Sequence, residues 1–192
     1  PIGLELEFGY GKMLPLDVPI DASAVVQVAG IIDRVDVASG KQKDYLMVID
    51  YKSGDAQLRL NDIYHGLSLQ LLTYLLVCLK NADLLGLNNP VPGGLCYFRI
   101  HNPLVKWNEG LDEGKIKLAL DKEYKLRGMF LGETDFIQLA DNGLKTGWSK
   151  VLPLGIGKEG FYKNSSVFQK EQFALLEEHF YRVVREIGSK IL

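Results

Sequence analysis

The stretch LMVIDYKSG, residues 46–54, limits what this chain can fold into more than any other. Met47, Val48 and Ile49 suit a strand in a sheet interior, yet the same strand ends in an acid and a base two residues apart, Asp50 and Lys52. Charges are costly in such a place unless something compensates them. Side chains alternate across a strand, so Asp50 and Lys52 project from one face and meet the same surroundings. Whatever lies on that face must need both charges.

Upstream, VVQVAGIIDRVDVA also reads as a strand, and the polar turn SGKQKD makes it and DYLMVIDYK an antiparallel hairpin. On the first arm Ile31, Asp33, Val35 and Val37 share a face, so Asp33 is an acid on an otherwise apolar stripe. Arg34 and Asp36 share the other face with Ile32 and can pair there. On the second arm Leu46, Val48, Asp50 and Lys52 share a face. If the two stripes coincide, Asp33 and Asp50 converge with Lys52 alongside. Two carboxylates around one point repel unless a cation neutralises them. Hard divalent ions such as Mg²⁺ are held by one or two carboxylates plus water and substrate phosphate. A lysine beside them can act on a water or steady a phosphate oxygen, and these parts together serve metal-assisted phosphodiester hydrolysis.

The rest of the chain frames this hairpin. An opening β segment, LELEFGY, precedes it. From Asp62, a plausible N-cap, to Lys80 the period becomes helical, and NADLLGLNNPVPGG reads as the loop that ends this helix before a strand, LCYFRI. From His101 to about Tyr162 the pattern mixes a charged helical stretch, EGKIKLALDKEYKLRGMF, with a glycine-rich looped one. The end, VFQKEQFALLEEHFYRVVREIGSKIL, is an amphipathic helix with Ser166 and Gln169 as a capping box and Phe173, Leu176, Phe180, Val183, Val184 and Ile187 as its stripe.

Composition excludes some functions. With 192 residues, 47% hydrophobic, 24% charged and a net charge of −2, the chain is of ordinary globular type, with no basic excess to mark nucleic acid or an acidic membrane as partner. No apolar run is long enough to span a bilayer and nothing reads as a signal peptide, so a cytoplasmic location is expected. Cys78 and Cys96 lie inside apolar segments and read as buried free thiols. LPLGIGKEG lacks P-loop spacing, so no nucleotide-driven motor is expected.

Taken alone, Asp-x-Lys on a strand is common, and Asp33 with Lys52 also fits an ordinary salt bridge at a sheet edge. The following helix adds weight. Ile63, Leu67, Gln70 and Tyr74 fall on one helical stripe, and a glutamine and a tyrosine on an apolar face need hydrogen-bonding partners, which the hairpin just before them can supply. A buried structural amide is the other reading of Gln70.

An acid in GIIDRVD, then VIDYKSG, then a helix carrying QLLTY resembles the PD-(D/E)XK nuclease superfamily in its RecB-like branch. The wider wording, with GGLCYFRIHNPLV, KLRGMFLGE, GWSKVLPL and the closing helix, is similar to the AddB (RexB) family of helicase–nuclease subunits over nearly the whole chain. The resemblance implies an α/β fold: a mixed sheet flanked by helices, with residues 1–100 as nuclease core and 101–192 as an extension ending in the amphipathic helix. It makes Asp33 and Asp50 metal-binding carboxylates, the Tyr51 backbone carbonyl a further ligand, Lys52 the catalytic lysine, and Gln70 and Tyr74 the supporting motif. It implies Mg²⁺, with Mn²⁺ as alternative, as cofactor; one strand of unwound DNA as substrate; an AddA-like helicase–nuclease subunit as partner; and a role in double-strand-break repair and recombination. The family's first motif would lie before Pro1. The family also holds an iron–sulfur cluster on four cysteines, whose positions neither Cys78 nor Cys96 matches, so the chain is expected to be a nuclease-core piece of a longer protein. Glu5, Glu7 and His65 are weaker candidates, expected at the surface. The rival reading is a catalytically silent module serving as a DNA-channel wall or subunit-interaction domain. A phage- or CRISPR-type RecB-like nuclease is disfavoured by the long extension after His101.

Overall fold

Alternating apolar and charged positions open the chain as strand β1 (Gly3–Phe8), which ends on the buried ring of Phe8. The computed structural model describes residues 1–104 and 112–191. The expected strand VVQVAGIIDRVDVA divides at Ala29. A turn in which Asp21 Oδ1 accepts from the amides of Ser23 and Ala24 closes a local hairpin of β2 (Leu16–Pro19) and β3 (Val25–Val28), which forms its own two-stranded sheet. The remainder becomes β4 (Gly30–Ser39), paired antiparallel with β1 on one side and β5 (Asp44–Lys52) on the other. The turn between β4 and β5 is held by the Gly40 amide on the Lys43 carbonyl at 2.9 Å.

The helix expected from Asp62 to Lys80 breaks in two. A short α1 (Leu60–Tyr64) is separated from α2 (Gln70–Lys80) by Gly66, which takes φ +72°, a conformation glycine adopts without penalty. Asp62 consequently lies in the first turn of α1, where Arg59 is the N-cap, and Leu67 swings out to 79% exposure instead of joining a continuous stripe. Strand β6 (Val91–Arg99) begins inside the stretch expected as loop. Its glycines mark close packing: a Cβ at Gly93 would meet the Phe136 ring, and one at Gly94 the Phe130 ring, each at 2.9 Å.

Beyond residue 111, Asp112 caps α3 (Glu113–Glu123) by accepting from the Lys115 amide at 2.8 Å. The expected helix does not continue into RGMF, which instead forms β7 (Arg127–Leu131), followed by α4 (Thr134–Ala140). Three short strands, β8 (Gly147–Trp148), β9 (Gly155–Gly157) and β10 (Gly160–Phe161), make a small sheet. Residues 105–111 of the mixed stretch, and Leu192, lie outside the described residues. Strand β11 (Val167–Phe168) runs parallel to β7 and leads into α5 (Lys170–Ile191). Because Val167 and Phe168 are still strand, the capping interaction moves three residues along. Gln172 Oε1 accepts from the Gln169 amide at 2.8 Å, while the Ser166 hydroxyl donates to the Gly128 carbonyl.

The main sheet has the order β1-β4-β5-β6-β7-β11, mixed parallel and antiparallel, so the fold is α/β with helices on the sheet faces, as expected. Residues up to 100 supply four of its strands and the later ones add β7 and β11. Leu71, Leu72, Leu75 and Leu76 of α2 are buried toward one face; on the other, Phe136 of α4 packs on Tyr45 with ring centroids 5.4 Å apart. Helix α5 lies over α2 and the β2–β3 hairpin, burying Phe173, Phe180 and Val183 and leaving Ile187 exposed. Cys78 and Cys96 are buried free thiols; burial pushes Cys78 up to about 12 and Cys96 higher still. None of the described helices is long and apolar enough to cross a membrane.

Candidate active site

The β4–β5 register pairs Arg34 with Ile49 and Val35 with Val48, and one more step places Asp33 opposite Asp50. The two acids therefore share a face. Asp33 is tied down by its neighbour strand: its Oδ2 accepts from the Tyr51 amide at 2.8 Å. Asp50 is 2% exposed and has Tyr97 as its register partner on β6. Tyr51 turns its ring to the opposite face, edge-on to Phe98, so only its backbone belongs to this site.

Lys52, two residues on, reaches back along the same face. Its Nζ lies 2.6 Å from Asp50 Oδ2, donates to Gln70 Oε1 at 3.0 Å and sits 5.6 Å above the Tyr97 ring centre. Gln70 Nε2 in turn donates to the Tyr74 hydroxyl at 2.8 Å. Gln70 is the first residue of α2 and Tyr74 is one turn later, the spacing at which helical side chains meet. Thr73 faces away and donates to the Leu69 carbonyl at 3.0 Å. Gln70 is exposed and not a buried amide, because the break at Gly66 sets it at a helix mouth instead of mid-helix.

Electrostatics follow from this packing. Burial pushes the Asp50 carboxyl above its ordinary value; the Lys52 ammonium opposes the rise and Asp33 adds to it. For Lys52, burial works against the charged form, but the pair with Asp50 outweighs it and the ammonium is held above its usual range. Burial also raises the Tyr74 phenol, helped by the charges of Asp50 and Asp33 against the bond from Gln70. Asp50 Oδ2 is buried and, although the ammonium touches it, receives no hydrogen bond of normal geometry from the described residues. A buried, incompletely satisfied carboxylate oxygen beside a second carboxylate, both on paired strands, suits a hard divalent cation. Among the described residues no group of three or more His, Cys, Asp or Glu side chains is placed to hold a metal ion. Glu5, Glu7 and His65 are exposed.

Sequence reading missed two cations on the same face. Arg99 is the register partner of Lys52, and Arg127 that of Tyr97. Alternation in LCYFRI signals the first; the second was hidden because RGMF reads as helix.

The PD-(D/E)XK nuclease superfamily profile matches residues 1–190. The chain is also 38% identical over 195 residues to the B-subunit of the ATP-dependent helicase/deoxyribonuclease of Anoxybacillus flavithermus, and 36% identical over 197 residues to the proteins of that name from Bacillus cereus strain G9842 and Bacillus thuringiensis strain Al Hakam. In each case all of this chain is covered but only 17% of the relative.

Proposed function

Because the chain belongs to the PD-(D/E)XK nuclease superfamily, we propose that it is the deoxyribonuclease domain of a helicase–nuclease subunit and hydrolyses phosphodiester bonds in one strand of unwound DNA. The observation that carries this reading is the continuous chain Asp50–Lys52–Gln70–Tyr74 set opposite Asp33. Asp33, Asp50 and the Tyr51 carbonyl are the groups that would hold Mg²⁺ or Mn²⁺. When bound, such an ion lowers the pKa of a bound water and offsets phosphate charge. The chain's own residues do the rest. Gln70 holds the Lys52 ammonium at the cleft, where it can hydrogen-bond a phosphate oxygen or orient a water. Tyr74 fixes the Gln70 amide so that its oxygen, not its nitrogen, faces Lys52.

The partner on this reading is an AddA-like motor subunit, the setting is double-strand-break repair and recombination in the cytoplasm, and an iron–sulfur cluster belongs to other parts of the complete protein. The test uses the complete complex: Mg²⁺-dependent degradation of each labelled strand, with unwinding followed in parallel. Asp50→Ala should lower cleavage by this subunit by orders of magnitude while unwinding persists. Wild-type cleavage by that variant would refute the nuclease assignment and favour a channel wall.

A further inference from the structure

Beside the carboxylate pair, on the same sheet face, lies an open cleft of about 570 Å³ that the chemistry above does not use. Its charged lining is Arg99 of β6 and Arg127 of β7, with the carboxylates of Asp55 and Glu123 facing them. The cross-strand row runs Asp33, Asp50, Tyr97, Arg127, so Arg127 stands two strands from Asp50, about 10 Å at ordinary strand spacing. Arg99 stands beside Lys52. Both guanidiniums converge on one carboxylate oxygen, Asp55 Oδ1: Arg99 Nη1 at 3.7 Å and Arg127 Nη1 in direct hydrogen bond. Arg127 Nη2 also lies 3.6 Å from Glu123, which His101 approaches at 3.5 Å. Arg99 Nε is buried with no hydrogen-bond partner among the described residues, so among them this fork keeps unspent donor capacity. Gln57, Gly128 and Ser166 also line it, beside the apolar Leu58 and Pro153.

Asp55 differs from its partners. It is 60% exposed, on the segment that leaves β5 directly after Lys52, and the Gly54 before it has open space where a side chain would be. A carboxylate and a phosphate present guanidinium with the same kind of oxygen pair, and arginine binds both through parallel hydrogen bonds. We propose that Arg99 and Arg127 form a subsite for a backbone phosphate of single-stranded DNA next to the scissile one, with the Asp55 carboxylate as a built-in competitor that the strand displaces. This rests on the nuclease reading for the identity of the strand. The subsite fixes the line along which the strand passes Lys52, and Asp55 sets a threshold on how tightly a strand must bind before it is seated.

The experiment separates the subsite from the chemistry by using no metal. Binding of a fluorescein-labelled oligothymidylate to the 192-residue chain is followed by anisotropy in EDTA, across a salt series, with circular dichroism confirming the fold of each variant. Arg127→Ala and Arg99→Ala should each raise Kd about tenfold, as loss of a charge-assisted phosphate bond does. Each should also flatten the salt dependence by about one counterion. Arg127→Lys should recover part of the loss. Asp55→Asn, nearly isosteric, should tighten binding about two- to fivefold, the amount an exposed ion pair withholds. An unchanged or weakened Kd in Asp55→Asn, wild-type Kd and salt slope in both arginine variants, or no measurable binding by the wild-type chain each overturns the subsite. The nuclease reading is tested by Mg²⁺-dependent cleavage with Asp50→Ala in the complete complex and the subsite by metal-free binding with the Arg99, Arg127 and Asp55 variants, so the two ideas fail separately.

Discussion

Removing the Lys52 ammonium tests how the charges of the cleft are balanced. In Lys52→Met the aliphatic stem is kept, but Asp50 loses the cation 2.6 Å from its Oδ2 and remains 2% exposed beside Asp33. At that separation the gross attraction is roughly 2 kcal/mol in water-like surroundings and about 6 kcal/mol at an effective dielectric constant near 20. Breaking a fully buried pair costs about 3–5 kcal/mol. Lys52 is a third exposed, so solvent already screens part of the interaction, and the net loss expected at neutral pH is about 1–3 kcal/mol. The sign with pH is fixed. Asp50 has a higher pKa folded than unfolded, and losing Lys52 raises it further. The folded state then keeps the proton longer, so stability is fullest below the unfolded value of about 3.9 and declines as pH rises through the folded pKa. The raised pKa of Lys52 comes from the same pair, so its contribution is present only while Asp50 is ionised and is lost again above about 10.4. Urea unfolding of the 192-residue chain should therefore show wild type and variant nearly matched near pH 4 and separating toward pH 7. Added Mg²⁺ should narrow the gap if the carboxylates hold it. An equal gap at both pH values would mean that Asp50 is not a buried charge compensated by Lys52.

Gln70→Ala and Tyr74→Phe should each cost about 0.5–1.5 kcal/mol or less, and lower turnover with KM little changed; steady-state cleavage kinetics of the complete complex check this, and a pure KM effect would contradict it. Gly128→Ala should destabilise the chain by about 3 kcal/mol or more in urea, because its Cβ would overlap the Leu95 carbonyl and lie 2.6 Å from Cys96 Cα. Neither thiol should react with Ellman's reagent at pH 8 in the native chain, since Cys78 is held near 12 and Cys96 above it; both should react in urea, and fast native labelling would show a loose core.

The parts of the site that could be read in advance are those governed by short-range periodicity. Two-residue alternation was enough to bring Asp33 and Asp50 to one face and to align Lys52 with them, and four-residue helical spacing joined Gln70 to Tyr74. What failed were boundaries decided by tertiary contact. Gly66 looks tolerable within a helical pattern until the chain has to turn there. Gly93 and Gly94 look like loop until the rings of Phe130 and Phe136 need their missing side chains. RGMF reads as helix because its strand partner, residues 94–97, lies some thirty residues away in sequence, and with it Arg127 went unseen. Ser166 looked like a helix cap because nothing local reveals that the next two residues extend a sheet.

Helix α5 also sets the order of events during synthesis. Its Arg185 side chain donates to the Pro19 carbonyl, closing a separation of 166 residues, and a Cβ at Gly188 would press on Ile20 at 2.6 Å. The hairpin of residues 16–28 and the outer side of α2 thus leave the ribosome long before the helix that covers them exists. Closure cost grows only logarithmically with loop length, so the clasp is thermodynamically cheap. Its cost is delay. At a translation rate of about 5–20 residues per second, that apolar surface waits roughly 8 to 30 seconds for its cover, and this interval is when the nascent chain is most open to aggregation.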